Sequence, residues 1–237
     1  MLGKVLMYLF MALSMATCVV FCCFRAKKAT ILTLALKTLS SVFFVLSGLM
    51  AIYALGASHI SLLLIIAGLV LGLIGDIILD LKIMYPQQSD GYFVTGTMSF
   101  ALGHICYFFS VMEINRGLIP DKLGWNLLIA LAVAIVATGA ILLLSKPLKL
   151  NFGKNLWAVI VYSLLLTFMV GFSITLACYF PIFWVLASGM ILFFLSDLVL
   201  STQYFGGKDQ KWLIFLNHIL YYSAQCLIAI SIFVCFA

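Results

Sequence analysis

Long apolar runs separated by short polar breaks make up almost all of this chain. A helix that crosses the hydrocarbon core of a bilayer needs about 20 mostly apolar residues. Eight runs of that length can be marked between the breaks, near residues 4–24, 30–55, 58–80, 92–112, 123–145, 154–178, 182–202 and 211–236. Two placements support the count without appeal to hydropathy. All four prolines (Pro86, Pro120, Pro147 and Pro181) fall in the breaks, where a missing backbone donor does no harm. Each of the four tryptophans (Trp125, Trp157, Trp184 and Trp212) stands in the first turn of an expected helix, where an amphipathic ring meets the headgroups. The first run lacks an A-x-A cleavage site and is followed by Arg25, Lys27 and Lys28, so it reads as a span rather than a leader. The expected fold is all-α, a polytopic integral membrane bundle of about eight transmembrane helices. It forms a single transmembrane domain over residues 1–237, with short connections and no soluble domain.

Composition agrees with this pattern. Of the 237 residues, 66% are hydrophobic and 8% are charged, whereas a soluble domain carries about 25% charged residues. Too few polar side chains exist to cover a water-facing surface. The net charge of +6 therefore speaks to topology, not to nucleic acid. With eight spans, the connections after the first, third, fifth and seventh share one side. That side holds Arg25, Lys27, Lys28, Lys82, Lys146, Lys149, Lys154, Lys208 and Lys211, against Lys4, Arg116 and Lys122 on the other. The bias marks the first side as cytoplasmic and predicts both termini on the far side. The seven cysteines all lie in apolar runs without the paired spacing of a zinc site or a disulfide framework. They read as small buried hydrophobes, with acylation of Cys22 or Cys23 at the membrane edge as the alternative.

Against this background a few polar residues stand out. GLIGDIILDL carries Asp76 and Asp80 near the end of the third run, and LFFLSDLVLS carries Asp197 near the end of the seventh. Lys37 lies about two turns into the second run and Tyr162 about two turns into the sixth. Asn217, His218, Tyr221, Tyr222 and Gln225 occupy the second to fourth turns of the eighth, and His104 lies deeper, near the middle of the fourth. At about 1.5 Å of rise per residue, nearly all of them fall in the half of the bilayer on the basic side. A charged side chain at the centre of a span costs about 2.5–3.5 kcal/mol on insertion scales. Lys37, Asp76 and Asp197 are therefore expected to face the bundle interior, to pair, or to meet water.

Blander readings stand beside this one. Asp76 and Asp197 near an interface can pair with Lys82 or Lys208. Asp80, beside Lys82 at the expected helix boundary, reads as solvated, although it shares a helix face with Asp76. His104 can serve as an interhelical hydrogen-bonding residue, and His59 reads as interfacial. Ser196, Gly75, Gly96, Gly103 and Gly189 read as small residues that let helices approach. Glu113, Arg116, Asp121 and Lys122 read as a solvated loop. A short internal echo, GDIIL then HICY against SDLVL then HILY, suggests two four-helix halves in one orientation.

Taken in order, these residues resemble the YhhN family of polytopic membrane enzymes, the lysoplasmalogenases. The pattern comprises Lys37 and Gly75-Asp76, then Phe93, Gly96, Phe100, Gly103, His104 and Tyr107. Tyr162 follows, then Gly189, Phe193, Ser196 and Asp197, and finally Tyr221, Tyr222 and Gln225. One departure is Thr38, where family members often carry proline. The resemblance implies hydrolysis of the vinyl ether bond of lysoplasmalogens to a fatty aldehyde and glycerophosphoethanolamine or glycerophosphocholine. It implies a lysophospholipid substrate and calls for no cofactor.

The residues suit that chemistry. A vinyl ether hydrolyses when an acid protonates its alkene carbon, an oxocarbenium ion forms, and water adds. Two carboxyls from different helices can supply the proton and stabilise the cation, since an acid taken out of water can hold its proton near neutrality. Glycosidases meet a related oxocarbenium ion with two carboxylates. Asp76 and Asp197 are the expected pair. Lys37, His104, Tyr107, Tyr162, Ser196, Asn217, His218, Tyr221, Tyr222 and Gln225 are expected to orient water and substrate. Two other classes remain open. His104, His218, Asp76 and Asp197 could hold a metal in a different lipid hydrolase, although no H-x-x-x-H pair is present. A proton-coupled transporter would also use acids, a lysine and a histidine, although no span contains proline and nothing marks a pair of broken helices.

Overall fold

A computed structural model describes residues 1–57, 59–207 and 210–236 of the chain. Eight α-helices follow one another: α1 (Leu2–Arg25), α2 (Ile31–Leu55), α3 (Ile60–Met84), α4 (Ser89–Leu118), α5 (Leu123–Ser145), α6 (Leu156–Tyr179), α7 (Trp184–Tyr204) and α8 (Lys211–Val234). All eight are long and apolar enough to cross a membrane, and no strand occurs among the described residues. Lys208, one of the nine bases on the expected cytoplasmic side, lies outside the described residues.

Local chemistry explains where the helices begin and end. Thr30 caps α2: its hydroxyl accepts from the Thr33 amide while the Thr33 hydroxyl accepts from the Thr30 amide. The same helix stops at Gly56, whose φ of +71° is the left-handed conformation that favours glycine. Pro86, Pro120 and Pro181 each open a single 3-10 turn in a connection. Two helices run further than the sequence pattern predicts. α3 continues to Met84 and α4 spans Ser89–Leu118, which places Asp80, Lys82, Asp90, Glu113 and Arg116 on helices. Polar residues end a hydropathic run without ending a helix, since a side chain with a partner does not interrupt the backbone ladder.

Sequential helices pack as antiparallel pairs, α1 with α2, α3 with α4, α5 with α6 and α7 with α8, and α8 also lies against α1, α2 and α3. α8 is the most enclosed helix and α5 the least. Lipid tails are as apolar as leucine, so close backbone approach and polar contacts hold the bundle together. Gly68 and Gly103 let α3 and α4 meet, and a Cβ at Gly68 would fall 2.2 Å from the Tyr107 ring. Gly189 does the same for α7 against α8, where its Cβ would stand 3.1 Å from the Ala224 carbonyl oxygen. Between α1 and α2, Ser14 Oγ donates to the Ser40 carbonyl (2.8 Å) and Ser40 Oγ donates back to the Ser14 carbonyl (2.6 Å). These contacts fix the frame around the end of the bundle where α1, α3, α5 and α7 finish and the even-numbered helices begin.

Candidate active site

At that end all eight helices contribute to one cavity of about 470 Å³, within the range of about 300–1,000 Å³ usual for small-molecule sites. Asp76 and Asp80 on α3 and Asp197 on α7 line it, with Lys37 from α2, Tyr162 from α6 and Tyr221 from α8. Phe100, Leu166 and Phe194 supply apolar wall. Asp76 and Asp197 lie about two turns from their helix ends, deeper than the shorter expected helices implied, and Asp80 lies about one turn from the end of α3.

Asp76 is held from several helices. Lys37 Nζ stands 3.5 Å from its Oδ1, while Ser41 Oγ (2.6 Å) and the Tyr221 hydroxyl (2.8 Å) both donate to its Oδ2. Lys37 Nζ also pairs with Asp80 Oδ1 at 2.9 Å. This corrects the solvated reading of Asp80, which is only 6% exposed. Asp80 repeats the orientation of Asp76 one turn on, and both acids meet one buried ammonium. Breaking such a pair by removing one partner would strand a charge.

Behind this cluster lies a second row. The Tyr222 hydroxyl donates to the Lys37 carbonyl at 3.0 Å. Gln225 Nε2 donates to the Tyr221 hydroxyl at 2.9 Å, and Tyr107 OH reaches Gln225 Oε1 at 3.5 Å. These residues orient the groups that touch the cavity rather than lining it.

Asp197 has a different setting. The Tyr162 hydroxyl donates to its Oδ2 at 2.6 Å, and among the described residues no base pairs with it. Ser196 lines the cavity but its hydroxyl turns back to the Phe193 carbonyl at 2.7 Å. Asn217 and His218 also line it, His218 with Nδ1 2.8 Å from the Ile214 carbonyl and its ring against Phe21. His104 is almost fully buried, and neither ring nitrogen has a partner. Its ring centroid lies 4.8 Å from Phe193, 5.8 Å from Tyr107 and 6.0 Å from Tyr162. The four groups of the metal reading are not gathered: among the described residues, no three His, Cys, Asp or Glu side chains are placed to share an ion.

Thus Lys37, Asp76, Tyr162, Ser196, Asp197, Asn217, His218 and Tyr221 reach one cavity, while His104, Tyr107, Tyr222 and Gln225 stand behind its wall. Sequence reasoning missed Ser41, Arg25, Gln203 and Tyr204, of which the last three also line the cavity. Ser41 carried a usable signal, since it follows Lys37 by one helical turn and must share its face. Arg25, Gln203 and Tyr204 stand at helix ends, where polar residues carry no such signal.

Comparison with known proteins agrees with the residue pattern. The YhhN family profile matches residues 32–232, most of the chain and every helix that carries a buried acid. The chain belongs to the YhhN family. No curated protein and no solved structure matches it. As a polytopic YhhN-family protein it is consistent with a membrane enzyme that acts on lipids. The matched span contains Lys37, the three cavity acids Asp76, Asp80 and Asp197, and the Tyr221–Gln225 turn, so it covers nearly all of the cavity lining.

Proposed function

We propose that this YhhN-family chain hydrolyses the vinyl ether bond of a lysoplasmalogen, releasing a fatty aldehyde and a glycerophospho-alcohol. The observation that carries the reading is the pair of carboxyls, Asp76 and Asp197, borne by separate helices on one ligand-sized cavity inside an apolar bundle.

The chemistry balances with water alone. One carboxyl delivers a proton to the outer alkene carbon, leaving an oxocarbenium ion at the carbon bound to oxygen. The other carboxylate stabilises that cation. Water adds to the cationic carbon and returns a proton to the spent carboxylate. The resulting hemiacetal passes its hydroxyl proton to the departing glycerol oxygen and collapses to aldehyde and alcohol. Tyr162 and Tyr221 fix the two carboxyls in place, and the Ser41 hydroxyl adds a second donor on Asp76. The apolar wall from α4, α6 and α7 gives the alkenyl chain a course among the helices. The excess of bases at this end supports a cavity that opens toward the cytoplasmic side.

Purified protein incubated with lysoplasmalogen and with its saturated ether analogue tests the reaction class. Aldehyde is expected from the first only, because the saturated ether has no alkene to protonate. Asp76→Asn and Asp197→Asn are each expected to reduce turnover by about 10²–10⁴-fold, the range for loss of a general acid or base. Near-normal cleavage by both folded variants would refute the two-carboxyl mechanism.

A further inference from the structure

The cavity mouth holds donors that the reaction does not use. Arg25, the last residue of α1, lines the cavity, as does Lys82 near the end of α3. Lys82 does not extend into bulk water as a lysine serving only membrane orientation would. Its Nζ is held 3.6 Å from the Tyr204 ring centroid and 4.8 Å from that of Phe93. Among the described residues neither base has a carboxylate partner. Asp76 and Asp80 share Lys37, and Asp90, at this end of the bundle, is taken by Lys154. Gln203 Nε2, also in the cavity wall, is a buried donor without an acceptor.

Two cations and an orphaned amide donor around one mouth call for an anion rich in acceptor oxygens. We infer that Arg25, Lys82 and Gln203 seat the phosphodiester of a lysophospholipid headgroup. This rests on the proposed reaction for its substrate but not for its binding test. Lys82 follows Asp76 by six positions on α3, about 9 Å along the axis at 1.5 Å per residue. A glycerol backbone spans that kind of gap, so one lipid can reach both. The apolar wall deeper in the cavity takes its chain, which a free phosphate lacks.

Two substrates separate headgroup binding from chemistry: lysoplasmalogen, and the 1-alkenylglycerol that keeps the vinyl ether but has no phosphate. Arg25→Gln and Lys82→Gln are each expected to raise KM for the phospholipid roughly tenfold with kcat retained. KM for the neutral lipid should not move. Equal losses on both substrates, or none on either, would overturn the assignment. If the wild type cleaves neither substrate, the reaction is wrong and the seat is read by binding alone. Wild-type protein should then bind a saturated lysophospholipid better than a monoacylglycerol, and the Gln variants should lose that preference. No preference in the wild type, or inorganic phosphate binding as tightly as the lipid, would refute the headgroup seat.

A separate set of contacts concerns the two acids themselves. Shifting numbers by 121 carries Ser41 onto Tyr162 and Asp76 onto Asp197, and Ser41 donates to Asp76 as Tyr162 donates to Asp197. The same shift carries Gly68 onto Gly189, Gly103 onto Ala224 and Tyr107 onto Ile228: a Cβ at Gly68 would meet the Tyr107 ring, and one at Gly189 would meet Ile228 and the Ala224 carbonyl. Phe193 packs on His104, while a Cβ at Gly72 would meet Gln225; these two contacts exchange under the shift. Phe100 maps onto Tyr221, and the two rings meet each other at 6.0 Å, as residues flanking a twofold axis must. GLVLGLIGDIILD (68–80) then aligns with GMILFFLSDLVLS (189–201). The HICY–HILY echo of the sequence belongs to a different register, which these contacts do not follow.

We propose that the bundle is two four-helix copies about an approximate twofold axis, and that divergence between them divided the catalytic roles. Asp76 keeps Lys37 and Tyr221, whereas the equivalent positions around Asp197 are Ala158 and Phe100. Lacking the phenol that serves Gln225, His104 is left without a partner. Asp197, with a tyrosine donor and no cation, delivers the proton to the alkene carbon and regains it from the attacking water. Asp76 stays the anion that faces the oxocarbenium ion.

Ala158→Lys gives Asp197 the cation that Asp76 already has, and Ala158→Met adds similar bulk without charge. The lysine variant is expected to lose about 10²-fold or more in kcat while the methionine variant stays within a few-fold of wild type. Equal activities would overturn the division. Infrared difference spectra test it without either variant and whatever the substrate. The protonated-carboxyl band should vanish in Asp197→Asn and persist in Asp76→Asn, and the opposite pattern would reverse the roles.

Discussion

Lys37 shows what one residue decides here. Its ammonium is the only base that touches Asp76 or Asp80 among the described residues, and all three groups are nearly out of contact with solvent. Lys37→Met would leave two carboxylates against each other in an apolar bundle. Loss of one partner of a buried ion pair costs about 3–5 kcal/mol, so this variant should unfold at markedly lower temperature in detergent. Adding Asp80→Asn should recover part of the loss, because one stranded charge is removed. An unchanged unfolding temperature for Lys37→Met would mean that water already compensates these acids.

At the scale of elements, the lines of approach between helices matter more than their hydrophobicity. The α3–α4 contact depends on Gly68, where a Cβ would stand 2.2 Å from the Tyr107 ring. Gly68→Ala must displace that ring or part the two helices. Overpacking of this kind costs about 1–3 kcal/mol, measurable as a fall in unfolding temperature. Tyr107 reaches the site through Gln225 and Tyr221, so turnover should fall as well. Gly91→Ala, where a Cβ meets nothing within 4 Å, is the matched control and should change neither.

For the whole molecule, the orientation in the bilayer follows from charge. Among the described residues eight bases lie on the side where the cavity opens and three on the other, so the cavity end should face the cytoplasm. Single cysteines introduced at Lys149 and at Lys122 in a cysteine-free background test this with a membrane-impermeant thiol reagent on intact cells. Labelling at position 122 and protection at position 149 is the expected result, and the reverse would invert the topology. Inversion would leave the cavity intact but move its mouth to the opposite leaflet.

The helices, their order and the family pattern were legible from residue order alone. A bilayer permits little beyond apolar helices of a certain length, and prolines, tryptophans and bases mark their ends. The depth at which Lys37, Asp76 and Asp197 gather was legible for the same reason, since helical rise is fixed. Which side chains touch was not. Asp80 looked solvated because it stands beside Lys82 at the expected helix boundary; Lys37 reaches it across a helix interface, from 43 positions earlier. Ser41, Arg25 and Gln203 acquired their places only when α2, α1 and α7 met around the cavity. One-dimensional order sets what each helix presents, while the angles at which glycines and serines let helices approach select the faces that confront each other. That selection brought Lys37 to Asp76 and Asp80, while the position facing Asp197 in the same way carries alanine, Ala158.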